Sequence, residues 1–204
     1  MSVKNPLNYL AIGDSYTIGE AVPDIESYPY LLAGELNRQE YNVNPPTIIA
    51  TTGWTTDNLI DAISKSGLIE KKYDFVTLLI GVNDQYQNLS QDNYRIKFKQ
   101  VLDTAIDFAN DNKKRVFVLS IPDYGVTPFA KGEGDRIGPL IDQFNAINKS
   151  ITLNAGVNYL DITSISRQAA SDPELTAGDG LHPSGKMYLL WVQQLLSLVE
   201  KSLK

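Results

Sequence analysis

The chain has no cysteine, and that absence removes disulfides, cysteine-based zinc sites and thiol nucleophiles together. Positive charge is also scarce. Lys and Arg number 18 against 24 Asp and Glu, giving a net charge of −6, so the surplus of cations that binds nucleic acid phosphate or anionic lipid is missing. No apolar run approaches the ~20 residues of a membrane helix, so no stable membrane insertion is expected. The amino-terminal run MSVKNPLNYLAI carries no signal-peptide core. The expected location is therefore the cytoplasm, or an exported one if a leader had been removed. The scarcest informative residue is histidine, which occurs once, at His182. Any chemistry that needs an imidazole must use it.

What is present is a soluble-domain composition: 204 residues, 43% hydrophobic and 21% charged, enough for one substantial core over residues 1–204. Short apolar runs alternate with helical periodicity. Leu7–Ile12, Thr47–Ala50, Phe75–Ile80, Val116–Ile121 and Asn158–Ile162 read as strands. Tyr28–Gln39, Thr56–Ser64, a long segment capped by Ser90, Pro139–Leu153 and Lys186–Leu203 read as helices. This alternation predicts an α/β fold, a parallel sheet of about five strands with helices on both faces. Such sheets bind ligands beyond the carboxyl ends of their strands. That rule selects Gly13-Asp14-Ser15, Thr52-Gly53-Trp54, Gly81-Val82-Asn83-Asp84 and Pro122-Asp123-Tyr124. The stretch Pro122–Gly138, with four glycines and two prolines, reads as an irregular binding loop or lid.

A serine hydroxyl needs a base to become a nucleophile, the base needs a carboxylate to orient it, and the resulting oxyanion needs N–H donors. Ser15 follows the first strand, and Asp179 stands three residues before the lone imidazole, close enough in a tight loop to reach its far nitrogen. The backbone N–H groups of Ser15 and Gly53 and the side-chain amide of Asn83 are candidate oxyanion donors. Taken singly, each residue has an ordinary structural reading: a helix cap for Ser15, a turn for Asn83 or Asp179, a cap for His182. Asp14 and Asp84 read as structural, and Asp123 and Asp161 as rival carboxylates. The aromatics Tyr16, Trp54, Tyr86, Tyr124 and Phe129 all follow strand ends and are candidate pocket walls.

Four blocks taken together resemble the SGNH hydrolases, also called GDSL-type esterases and lipases. They are Gly13-Asp14-Ser15 in AIGDSYTIG, Gly53 in ATTGWTTDNL, Gly81-x-Asn83-Asp84 in LLIGVNDQ, and Asp179-x-x-His182-Pro183 in DGLHPSG. The resemblance runs in the family's order over residues 7–185, with Tyr16 where the family has leucine. It implies a flavodoxin-like three-layer α/β/α sandwich and a catalytic triad of Ser15, Asp179 and His182. It implies an oxyanion hole from Ser15, Gly53 and Asn83, and hydrolysis of small-molecule esters without metal or organic cofactor. Small acyl or lysophospholipid-like esters are the expected substrates. Acyl-CoA thioester hydrolysis or acyl transfer would use the same residues, and a catalytically silent ligand-binding module would keep the scaffold. A metal-dependent phosphatase is a weaker rival, since its paired-carboxylate or multi-histidine ligand set is missing. Oligomeric state is left open by the sequence.

Overall fold

The computed structural model describes residues 5–204; residues 1–4, the start of the amino-terminal run, lie outside the described residues. Five parallel strands form the central sheet in the order β2-β1-β3-β4-β5. They are β1 (Tyr9–Gly13), β2 (Thr47–Ala50), β3 (Phe75–Leu79), β4 (Val116–Leu119) and β5 (Asn158–Leu160). Eight helices accompany them: α1 (Ser15–Ile18), α2 (Tyr28–Arg38), α3 (Thr56–Lys65), α4 (Val82–Tyr86), α5 (Gln91–Phe108), α6 (Gly134–Ala155), α7 (Thr163–Ser166) and α8 (Gly185–Leu203). The chain runs outward from β1 in one direction and back past it in the other. Right-handed crossovers then place the connecting helices on opposite faces. Helices α2 and α8 pack against each other, and α3, α5 and α6 form the second row, so the architecture is a three-layer α/β/α sandwich.

The sequence periods explain the layers. Both central strands, β1 (YLAIG) and β3 (FVTLL), are buried along their whole length, as expected for strands covered on both faces. Tyr9 and Phe75 are direct ladder partners, and their rings stack at 4.4 Å. The one polar side chain in β3, Thr77, is buried but shares hydrogen bonds with the Tyr9 hydroxyl at 2.8 Å and the Tyr28 hydroxyl at 3.2 Å. Helix α5 turns Tyr94, Phe98, Val101, Leu102 and Ala105 inward, and α8 contributes Trp191, Val192, Leu195 and Val199.

The elements differ from the sequence reading mainly at their ends. Ile80, Ile121 and Ile162 are fully buried, yet they lie past the last ladder pair of their strands, because burial continues into the loops after the hydrogen bonding stops. Leu7 belongs to a separate bridge with Val43 and not to β1. Helix α6 starts at Gly134, five residues before the proline taken as its start, and carries Pro139 internally. The exposed Pro139 ring faces solvent while Ile137 is buried, so the extra turn gains a core contact at the loss of one backbone donor. The irregular stretch is therefore shorter than Pro122–Gly138. It holds two short 3₁₀ turns, Tyr124–Val126 and Pro128–Ala130, before α6 begins.

Register sets the functional edge. Gly13 pairs with both Ala50 and Leu79, so β1, β2 and β3 end level with one another. Ser15, Gly53 and Asn83 follow within four residues of those ends and emerge on one rim. Gly81 makes the third of these exits possible. Its φ is +128°, and a Cβ there would lie 2.5 Å from the Tyr94 hydroxyl. Gly81→Ala is expected to cost about 2 kcal/mol or more, through backbone strain and the clash with Tyr94. Urea unfolding monitored by circular dichroism checks this, and an unchanged midpoint would contradict it.

Candidate active site

Ser15 is the first residue of the short α1, and Asp14 caps that helix by accepting the Tyr16 N–H at 3.0 Å on Oδ1. The turn places Ser15 at the strand's carboxyl end, where it is 4% exposed. From the far end of the chain, residues 176–184 fold into a tight loop. Thr176 and Pro183 form an antiparallel bridge, Ala177 N donates to His182 O at 2.8 Å, and Ser184 N donates to Leu175 O at 3.0 Å. Within the loop, Asp179 Oδ1 accepts the backbone N–H groups of Leu181 at 2.9 Å and His182 at 3.0 Å. The other carboxylate oxygen, Oδ2, lies 2.6 Å from His182 Nδ1, and His182 Nε2 lies 3.0 Å from Ser15 Oγ. Hydroxyl, imidazole and carboxylate thus form one hydrogen-bonded line.

Electrostatics orients that line. Partial burial pushes the Asp179 carboxyl up. Hydrogen bonds from the His182 ring and from the Leu181 and His182 amides outweigh that, and hold it below the ordinary carboxylate range. An ionised Asp179 accepts the proton on Nδ1, which leaves Nε2 as the acceptor facing Ser15. The Tyr16 ring stands 5.2 Å from the imidazole at 57°, walling it on one side.

Gly53 and Asn83 line the same cleft as Ser15. Gly53 has a φ of +80°, and a Cβ built there would meet nothing within 4 Å, so its backbone faces open space. No backbone partner takes the N–H of Ser15 or Gly53 among the described residues. One N–H of the Asn83 amide donates to Trp54 O at 2.9 Å, which holds the group in place and leaves the second N–H for a ligand. Of the candidate wall residues, Tyr16, Tyr86, Tyr124 and Phe129 line the cleft. Trp54 does not: it contributes its carbonyl to Asn83, and its side chain packs against the core. Thr52 and Val82, which the strand-end rule selects, also line the cleft, as does Leu181, which that rule does not select. For Leu181 the only signal in the sequence is its place beside His182.

The rival carboxylates are engaged elsewhere. Asp123 accepts the Gly125 N–H at 2.8 Å and the Arg167 Nε–H at 2.9 Å, and Asp161 accepts the Thr163 N–H at 2.9 Å. Asp84 accepts both the hydroxyl and the N–H of Thr56, tying the start of α3 to α4. No group of three or more His, Asp or Glu residues suited to a metal ion occurs among the described residues, and none of their helices is long and apolar enough to cross a membrane.

The hydroxyl, imidazole and carboxylate line up at the carboxyl edge of a 2-1-3-4-5 parallel sheet. The chain belongs to the GDSL-like lipase/acylhydrolase family, whose model matches residues 11–190, and it is a carboxylic ester hydrolase. No curated protein matches it. Solved structures similar in fold include a member of the lipolytic protein G-D-S-L family from Veillonella parvula, 17% identical, covering 95% of this chain and 98% of that one at a TM-score of 0.74. An acetylxylan esterase from Geobacillus stearothermophilus is 18% identical over 98% and 96% of the two chains, with a TM-score of 0.73. A psychrotrophic esterase from Pseudoalteromonas sp., in a structure inhibited by monoethylphosphonate, is 14% identical over 96% and 98%, with a TM-score of 0.72.

Asp14 adds a pH signature. It is fully buried, its Oδ2 has no hydrogen-bond partner among the described residues, and burial pushes its carboxyl up from 3.8 to about 8. The folded state keeps this proton to about pH 8, whereas the unfolded chain releases it near 3.8. The unfolded state therefore binds fewer protons between these values, and Asp14 lowers stability as pH rises through that window. In Asp14→Asn this loss is absent. Denaturation at pH 5 and pH 8 should show the variant losing less stability than the parent over that interval, by on the order of 1 kcal/mol or more. Equal losses in both proteins would refute the buried neutral acid.

Proposed function

We propose that the enzyme cleaves small-acyl esters through an acyl-enzyme on Ser15, with His182 as general base and acid and Asp179 as its orienting carboxylate. The carrying observation is the unbroken line from Asp179 Oδ2 to His182 Nδ1 and from His182 Nε2 to Ser15 Oγ. Ser15 Oγ attacks the acyl carbon while its proton passes to Nε2. The oxyanion is held by the N–H groups of Ser15 and Gly53 and the second amide N–H of Asn83. The carbon–oxygen bond to the alcohol then breaks, and the imidazolium returns its proton to the departing oxygen. Water, deprotonated by the same imidazole, attacks the acyl carbon; the bond to Ser15 Oγ breaks, Oγ takes the proton back from Nε2, and the acid leaves. Asp14 takes no part, since it faces the core and caps α1.

The size of the cleft supports a short acyl group. Its volume is about 140 Å³, below the roughly 300–1,000 Å³ of sites that enclose drug-sized ligands. Buried Tyr16 and Val82 close its inner side. An acetyl group, such as the one in the name of the Geobacillus relative, is of a size this cleft takes.

Ser15→Ala is expected to lower kcat on p-nitrophenyl acetate by about four orders of magnitude or more with an unchanged circular dichroism spectrum. A fluorophosphonate should label the parent at Ser15 and leave the variant unlabelled. Asn83→Ala should lose about 3 kcal/mol of transition-state stabilisation, read from kcat. Parent-level turnover by Ser15→Ala would reject the nucleophile.

A further inference from the structure

Beyond the outer wall of the catalytic cleft lies a second basin of about 410 Å³, roughly three times the cleft's volume. The two share one partition, made by Tyr86, Tyr124 and Phe129. These rings brace one another, with centroid separations of 5.9 Å, 6.1 Å and 6.4 Å. Tyr86 is 53% exposed and Phe129 42%, so the crest of the partition is open. An ester whose acyl group filled the small cleft could lay its alcohol portion over this aromatic crest into the basin.

The basin differs from the cleft in its polar groups. Gln85 lines it and is 3% exposed, with Oε1 accepting the Tyr124 hydroxyl at 2.9 Å. Its Nε2 has no hydrogen-bond partner among the described residues and keeps contact with solvent, so an acceptor in the basin can reach it. Arg136 Nε and Glu133 pair at 2.9 Å and offset each other. Lys131, exposed on the same rim, is in no ion pair among the described residues. The basin therefore offers one uncompensated cation and one unpaired amide donor, on a chain whose net charge is −6.

We propose that this basin is a leaving-group subsite for an alcohol bearing a negatively charged oxygen group, a carboxylate or a phosphate. Lys131 and the Gln85 amide take the charged oxygens, and the crest of Tyr86 and Phe129 carries the body of the alcohol. The proposal rests on the reading of Ser15 as the acylated residue. It makes Lys131 and Gln85 determinants of specificity, with no part in the bond-breaking step.

Three acetate esters with one acyl group and one ring test it: 4-acetoxybenzoate, 4-acetoxyphenyl phosphate and the neutral methyl 4-acetoxybenzoate. Each kcat/KM is taken relative to the ester's own alkaline hydrolysis, which removes the intrinsic difference between leaving groups. At least one anionic ester should exceed the neutral one by about fivefold or more, the size of one screened ion pair, and the better of the two identifies the charged group. Lys131→Glu should bring that ratio to one or below, and raising the salt from about 20 mM to about 500 mM should shrink it in the parent. A parent ratio near one for both anions, or a ratio unmoved by Lys131→Glu, overturns the subsite. Failure of the Ser15 reading has a different signature: Ser15→Ala would hydrolyse all three esters at the parent's rate.

Discussion

The hydrogen bond between Ser15 Oγ and His182 Nε2 joins residues 167 positions apart, and most of the molecule bears on keeping it at 3.0 Å. One partner is placed by the end of β1, which is buried on both faces and locked in register with β2 and β3. The other is placed by a short loop pinned to the start of α8, where Ser184 caps the helix by accepting the Met187 N–H. Helix α8 packs on α2 through a core that includes Trp191, so the two ends of the contact refer to the same packed layer. A rigid interior transmits such positions with little slack. That is why a line of side chains drawn from both ends of the chain can be held at hydrogen-bonding distance.

The site is also marked by what it buries. Asp14 sits next to the proposed nucleophile with one carboxyl oxygen unpartnered among the described residues, and burial holds it in its neutral form well above the usual carboxylate range. Asp179, one loop away, is held below that range by three N–H donors. Two carboxyl groups at one strand edge thus carry different charges near neutral pH because their surroundings differ, not their chemistry. Only the solvated, donor-rich one touches the imidazole. The buried one stabilises the turn from which Ser15 projects.

The aromatic partition has a comparable double role. Tyr124 is anchored from behind by Gln85, and its neighbour Asp123 is tied to Arg167 and the Gly125 N–H. The Phe129 N–H donates to Gly180 O at 2.9 Å, which joins the partition to the loop that carries Asp179 and His182. The aromatic partition and the loop of Asp179 and His182 therefore share a framework, and the segment between β4 and α6 is more regular than its glycines and prolines suggest.

The alternation of buried runs and helical stripes was enough to give an α/β fold with five parallel strands, because burial on both faces leaves continuous apolar segments such as FVTLLI. Ser15, Gly53 and Asn83 could be picked out because each sits just past a strand end, and Asp179 and His182 because they share a short motif just before α8. Element boundaries were not legible: Ile80, Ile121 and Ile162 are as buried as strand residues, and Pro139 looks like a helix start. Local sequence carries burial and propensity but not hydrogen-bond partners. Nor did it show that Trp54 packs against the core while Leu181 lines the cleft, or that Asp123 belongs to Arg167 and not to His182. Those choices are made by side chains from distant segments competing for the same space and the same donors. That competition exists only once the sheet has brought the segments together.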